Sequence, residues 1–360
     1  MSASHRAIPP LLLGPGLGAA LLMAAHSPAP PSGSIVDDLL SRKLRFSAAD
    51  LRAHDAGSAV IKSLDTPIRE ELAHVAAVYL DAPSGRFVER FRDIVRFESG
   101  PGIPQIARFH SPPRLEDLRS LTLPRADVAT LQRCRPGDCD VKLSAAAMRR
   151  FRDEVDWSSP KAVSQADEVA REMIFDLMRA YQREGNAALG HYHDGDEPLP
   201  VAEQFRALLE SSDPLPVPVP ELLSYLDEYP NARLEGAEDF FYWTVVDFGL
   251  KPTIRVNHVT IYPLGGRPPP SGVRYAIAIK QLYASHYFHT TLELRFLVDD
   301  DRRARRGTSL ISITRSRNDG MTGFKGLFLR PLVRSRSRDA VRRYLDQVKR
   351  QVESPAPAVP

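Results

Sequence analysis

Cysteine is nearly missing from this chain: 360 residues carry two, Cys134 and Cys139. That excludes a disulfide-rich framework, and it leaves a thiolate metal centre two ligands short locally. Charge of one sign is also lacking. With 48 Lys and Arg against 45 Asp and Glu, the net +3 is too mild to argue for nucleic acid, which is set aside as a partner. No internal repeat occurs, and after the first 25 residues no apolar run is long enough to span a bilayer. The chain has no G-x-S-x-G, H-E-x-x-H, phosphate-loop or dinucleotide fingerprint, so no catalytic residue is assigned by motif and no cofactor is implied.

What is present is apolar enough to fold. Residues 7–25 are apolar and uncharged, with His5 and Arg6 before them, the pattern of a secretory signal. Pro9, Pro10 and Pro15 make the stretch a poor permanent membrane helix, although an uncleaved anchor is the alternative. The expected organisation is a signal peptide over 1–27, a linker and N-terminal helix over 28–56, one α+β domain over 57–353 and a disordered Pro/Ala tail over 354–360. Export to the periplasm or medium would permit a disulfide across Cys134-Arg-Pro-Gly-Asp-Cys139, because Pro136-Gly137 favours a type II turn that brings the two sulfurs together.

Strands are expected at 58–64, 72–80 and 104–109, with a helix N-capped by Ser84 and running through Arg92 between the last two. Helices are expected at 144–155, 164–184, 200–211 and 220–228, within a mostly helical insertion at about 140–240. The final third turns β-branched and aromatic, giving strands at 240–246, 253–262, 274–287, 291–298, 309–315 and 323–333. A closing helix at 337–353 carries the stripe Val341, Leu345, Val348 and Val352.

The opening Val78-Tyr79-Leu80-Asp81-Ala82-Pro83, then Phe87, Phe91 and Asp93-Ile94, resembles the start of the START and polyketide-cyclase-like (SRPBCC, helix-grip) superfamily. The closing strands and terminal helix match it in order only, and the insertion at 140–240 departs from it. The resemblance implies a curved antiparallel sheet packed on a long C-terminal helix, with an apolar cavity between them. Members of that superfamily bind lipids, sterols or aromatic polyketides, and a minority are enzymes; fold alone does not choose among these.

The densest polar constellation lies between Lys251 and Thr291. His258, Tyr262, Lys280, Tyr283 and His286 are candidate pocket residues, with Phe241 and Trp243 as candidate walls. Strand alternation puts Lys280 and His286 on one face with Ala276, Ala278, Leu282 and Ala284, and Tyr283 on the other with Ile277 and Ile279. A Lys and a His on one face could bind a carboxylate or act as acid and base; alternatively they are hydrogen-bonded sheet residues. The run His191-Tyr192-His193-Asp194-Gly195-Asp196-Glu197 has ligand-type side chains but no frame to fix them, and reads as a solvated loop with no metal. Arg330, Arg334, Arg336, Arg338, Arg342, Arg343, Lys349 and Arg350 fit either a transient contact with anionic membrane or the solvated face of a helix.

The expected function is therefore an exported protein that binds a lipid or another apolar or amphipathic small molecule between sheet and terminal helix. The alternatives are an enzyme of the same fold acting on a hydrophobic substrate, with His258, Lys280 and His286 converging, or an envelope structural or interaction protein.

Overall fold

The computed structural model describes residues 34–212, 215–247, 249–265, 272–300, 302, 307–319 and 323–354, with backbone alone for 323–337. The expected signal peptide, residues 266–271 and the tail beyond Ser354 lie outside the described residues, as do the side chains of Arg330, Arg334 and Arg336.

Helix α1 (Ile35–Asp37) and a π turn (Asp38–Lys43) lead to α2 (Ala48–Asp55), whose Ser47 and Asp50 form a reciprocal capping box. Strands β1 (Val60–Leu64) and β2 (Glu71–Leu80) follow, then α3 (Ser84–Arg92), α4 (Ile94–Glu98) and β3 (Gln105–Arg108). The N-cap of α3 is Pro83, one residue before the expected Ser84. A mostly helical stretch comes next: α5 (Arg125–Leu131), α6 (Ala145–Glu154), α7 (Ala162–Glu184), the short strands β4 (His191–Tyr192) and β5 (Leu199–Pro200), α8 (Val201–Ser211) and α9 (Pro220–Glu228). Five long strands then run in succession: β6 (Glu238–Val246), β7 (Thr253–Pro263), β8 (Val273–Ala284), β9 (Phe288–Asp300) and β10 (Gly307–Asn318). Helix α10 (Gly323–Glu353) closes the chain.

The fold is α+β around one eight-stranded antiparallel sheet in the order β1-β2-β10-β9-β8-β7-β6-β3. Strand β10 lies inside it, between β2 and β9. This explains one correction. The segment 323–333, expected as a last strand, is the first third of α10. Its short apolar runs carry no period that separates strand from helix, and β10 already has a neighbour on each side.

Both faces of the sheet are covered, so every residue of β2 is buried. On one face, Ala76, Val78, Val259, Ile277, Ile279 and Leu310 pack with Phe87, Phe91 and Phe97 of α3 and α4 and with Leu345, Val348 and Val352 of α10. Phe91 sits at the centre of this layer, with ring centroids 5.7 Å from Phe87, 5.2 Å from Phe97 and 6.1 Å from Phe240. The other face takes the helical stretch and the N-terminal helices. Phe205, Leu208, Leu222 and Leu226 cover Ala276 and Ala278, and Ile174, Met178 and Tyr181 cover Phe241, Trp243 and Val256. The helical stretch thus packs on the sheet.

Cys134 and Cys139 are joined by a disulfide, with Cα atoms 4.6 Å apart. The His191–Glu197 loop, expected to be solvated, keeps His191 and residues 195–197 exposed, and its middle clasps this turn. His193 O accepts from Gly137 N (2.9 Å), and Asp194 pairs with the buried Lys142 (3.1 Å).

Candidate functional site

The β6–β7–β8 register sets Phe241 opposite His258 and His258 opposite Lys280. All three therefore project into the helical layer. His258 Nε2–H donates to Asp239 Oδ1 (2.8 Å), which leaves Nδ1 to accept from the Tyr181 hydroxyl (3.1 Å). Phe241 stacks on the imidazole at 4.6 Å, and Tyr229 lies 4.7 Å away. Gly185 makes room for that tyrosine: it has φ +59, and a Cβ there would stand 1.7 Å from the Tyr229 carbonyl oxygen. Burial pushes the His258 imidazole below its ordinary value, although Asp239 pulls it up. The Asp239 carboxyl is raised by burial but held below the usual range by His258, Tyr225 and Thr260.

Lys280 is fully buried. Its ammonium donates to Asn186 Oδ1 and to Leu226 O (3.1 Å), and it lies 3.9 Å from the centre of the Phe205 ring. Burial without a carboxylate contact drives its pKa well below that of an ordinary lysine; Asp227 opposes this only weakly. His286 does not join the pair. Its Nε2 donates to the Asp127 carboxylate at 2.9 and 3.0 Å, both residues being buried. Tyr262 packs among Phe205, Leu226 and Ala276, and Trp243 donates from Nε1 to Asp117 O (2.9 Å).

Tyr283 is a correction. Simple alternation turned it away from Lys280, but it packs with Tyr181, Tyr192 and Met178 in the same helical layer. The register passes from Asn257–Gln281 to Val256–Tyr283, so Leu282 is the extra residue of a β-bulge. The bulge inverts the alternation for the rest of β8.

The opposite face holds polar residues that the sequence reading did not single out. Tyr242, Asn257 and Gln281 stand side by side on β6, β7 and β8, with Glu293 and Arg295 further along on β9. Arg295 is 2% exposed yet fully charged in character: burial disfavours its charge, but Glu293, Tyr344 and Glu98 outweigh that and hold its pKa well above the ordinary value. It donates from Nε to Glu293 (2.7 Å) and from a terminal nitrogen to the Tyr344 hydroxyl of α10 (2.7 Å), which donates to Glu98 (2.7 Å). Ser312 donates to Glu293 (2.8 Å), and Arg255 donates to Gln281 Oε1 (3.0 Å). Burial raises the Tyr242 hydroxyl, with Glu98 and Glu293 adding to the rise and Arg255 and Arg295 opposing it. Burial raises Glu98 against the pull of Arg295; burial also raises Glu293, but there Arg295 and Ser312 prevail and hold it below the usual range.

This row is incompletely satisfied. Both polar atoms of the Asn257 carboxamide, Gln281 Nε2 and one terminal nitrogen of Arg295 are buried without a hydrogen-bond partner among the described residues. Buried polar atoms nearly always have partners, so four such atoms on three adjacent strands call for a ligand or ordered water. The other unpartnered atoms, on His289, Arg315, Arg317 and Gln351, occur one to a residue. The signal was present in the sequence: Asn257, Gln281, Glu293 and Arg295 interrupt the apolar alternation on the face of Ile277 and Ile279. The histidines and Lys280 of the other face are the more conspicuous chemistry in the sequence, and two neutral amides among apolar residues do not stand out beside them.

No family model, curated protein or solved structure matches the chain. Among the described residues no group of three metal-ligating side chains is gathered, and no helix is long and apolar enough to cross a membrane.

Proposed function

We propose that this protein is an exported binding protein that holds a small amphipathic molecule between the sheet and α10, in a helix-grip-like arrangement. The observation that carries the reading is the unpartnered, buried polar row of Asn257, Gln281 and Arg295 on the α10-facing side of the sheet. Beside it stands an apolar layer of Phe91, Phe97, Phe240 and Leu345. A ligand with a polar head and an apolar body complements such a surface. Exposed Arg338, Arg343 and Arg350 on α10 suit a transient contact with anionic lipid during loading. The N-terminal apolar stretch and the disulfide support export.

A second reading, an enzyme acting on a hydrophobic substrate, draws on the adjacency of His258 and Lys280 and the depressed pKa of the lysine. It is the weaker one, since both side chains are enclosed and their polar atoms are engaged.

The test is native mass spectrometry of the full chain, followed by denaturing extraction. A near-stoichiometric small molecule, lost in Asn257→Leu but retained in Lys280→Met, is expected. A ligand lost in Lys280→Met and retained in Asn257→Leu would overturn the reading in favour of the other face.

A further inference from the structure

A lysine buried without a carboxylate destabilises the middle of a sheet, where methionine would fill the same space without a charge. Lys280 is such a residue: it is fully buried, and its Nζ has no carboxylate in salt-bridge range among the described residues. What the amine touches instead is an electrophile. Nζ lies against the Asn186 carboxamide, donates to Leu226 O at 3.1 Å, and is roofed by the Phe205 ring at 3.9 Å and the Tyr181 ring at 5.1 Å. Asn186 is itself buried, in the 3₁₀ turn Gly185–Leu189 that follows α7. The turn is pressed onto the end of α9 at Gly185, where no side chain fits beside the Tyr229 carbonyl. Asn186 Nδ2 donates to Asp227 O at 2.8 Å and to Asp227 Oδ1 at 3.3 Å, with Leu226 O at 3.5 Å, and these contacts hold the carbonyl end of the carboxamide toward the amine.

An amine, a carboxamide and a carboxylate gathered out of water are the parts of an intramolecular amide transfer. Burial holds the Lys280 amine well below the ordinary lysine value, which favours its neutral, nucleophilic form. We propose that Lys280 and Asn186 join in an isopeptide bond that ties β8 to the turn after α7. The Nζ lone pair adds to Asn186 Cγ, the Cγ–Nδ2 bond breaks, one amine proton passes to the departing nitrogen, and ammonia leaves. Asp227 Oδ1, already on Nδ2, is placed to relay that proton. The exchange of one amide for another needs no oxidant, reductant or second substrate. Contact between the reacting groups replaces a slow bimolecular aminolysis with an effective concentration that can reach about 10⁵ M. The aromatic rings keep out the water that would otherwise compete for the carboxamide. The product is a neutral secondary amide. It removes the buried charge and fastens the helical layer to the middle of the sheet across 94 residues of sequence.

The test is tryptic mapping by mass spectrometry of the full chain, unfolded and with its disulfide reduced. Trypsin cuts after a free lysine but not after an acylated one. The expected product is one species that joins 184–206 to 275–295, with Lys280 uncut and the pair lighter than the sum of its parts by about 17 Da, one ammonia. Separate peptides 275–280 and 281–295, with 184–206 at full mass, would overturn the proposal. So would loss of ammonia from 184–206 while Lys280 is still cut, the mark of an asparagine that has cyclised on its own backbone. In Asn186→Ala, 275–280 and 281–295 should return as separate peptides; an uncut Lys280 there would place its acylation elsewhere and overturn the pairing. The unaltered protein decides the matter by itself, so the variant need not fold.

Discussion

The two faces of the sheet bury polar groups in opposite ways. On the helical face the two histidines and the lysine at the centre of the sheet are closed by partners, His258 by Asp239 and Tyr181, Lys280 by Asn186 and Leu226 O, and His286 by Asp127, while toward its edge Arg315 and Arg317 each keep one unpartnered Nε. On the α10 face, Asn257 has no side-chain hydrogen-bond partner among the described residues, and Gln281 and Arg295 are only partly satisfied. A closed network rigidifies a core; an open one of the same composition costs stability unless something completes it. Histidine and lysine therefore sit in closed networks here, and the quieter amides belong to the proposed site.

The comparison can be broken most severely at Asp127. Asp127→Ala removes the partner of buried His286, and a loss of about 3 kcal/mol or more is expected in chemical denaturation, as for a buried pair deprived of one member. A small loss would mean that the helical face is less tightly closed than its geometry indicates. Next comes the clip on that same face. Cys134→Ser with Cys139→Ser opens a short loop and should cost about 2 kcal/mol, read as a lower denaturation midpoint. The α10 face should respond with the opposite sign. Asn257→Leu removes a buried amide that strands nothing when it goes, so the ligand-free protein should gain about 1 to 3 kcal/mol. Destabilisation there would show that Asn257 has a partner in the folded chain.

The smallest effect is electrostatic and depends on pH. The folded pKa of Glu98 lies above 4.5, so its contribution is fully present below pH 4.5 and is lost as pH rises through the folded value. Glu98→Gln mimics the protonated form. Its stability relative to the unaltered protein should be lowest at and below pH 4.5, then rise with pH until Glu98 is fully ionised. Urea titrations at several pH values read this directly; a difference that shrinks on raising pH would place the Glu98 shift in the other direction.

The sequence made much of this legible, for reasons that differ by element. Composition and helical stripes located β2, β6 to β10 and α7 to within a few residues, because the strands are long and rich in β-branched and aromatic residues bounded by turn signals, and α7 carries a long apolar stripe. The segment 323–333 failed because a run of a few apolar residues serves either structure, and only the interior place of β10 decides against a strand. Tyr283 failed for a local reason: one inserted residue, Leu282, inverts every side chain after it, and nothing in the composition of β8 announces a bulge. The polar row was hidden differently. Its members are separated by up to 38 positions, from Asn257 to Arg295, and become neighbours only through the register of three strands.

The interior position of β10 has a consequence for how the chain reaches this state. Strand β2 pairs on one side with β1 beside it, but its other side waits for β10, with Val78 opposite Leu310 across more than two hundred residues. Until the last third of the chain is available, a fully apolar-faced strand keeps an open edge. Contacts of such sequence separation slow folding and lengthen the period in which other chains can pair there instead. Refolding of this protein should therefore be slow and sensitive to protein concentration, and a chain that stops before residue 307 should aggregate rather than form a smaller sheet.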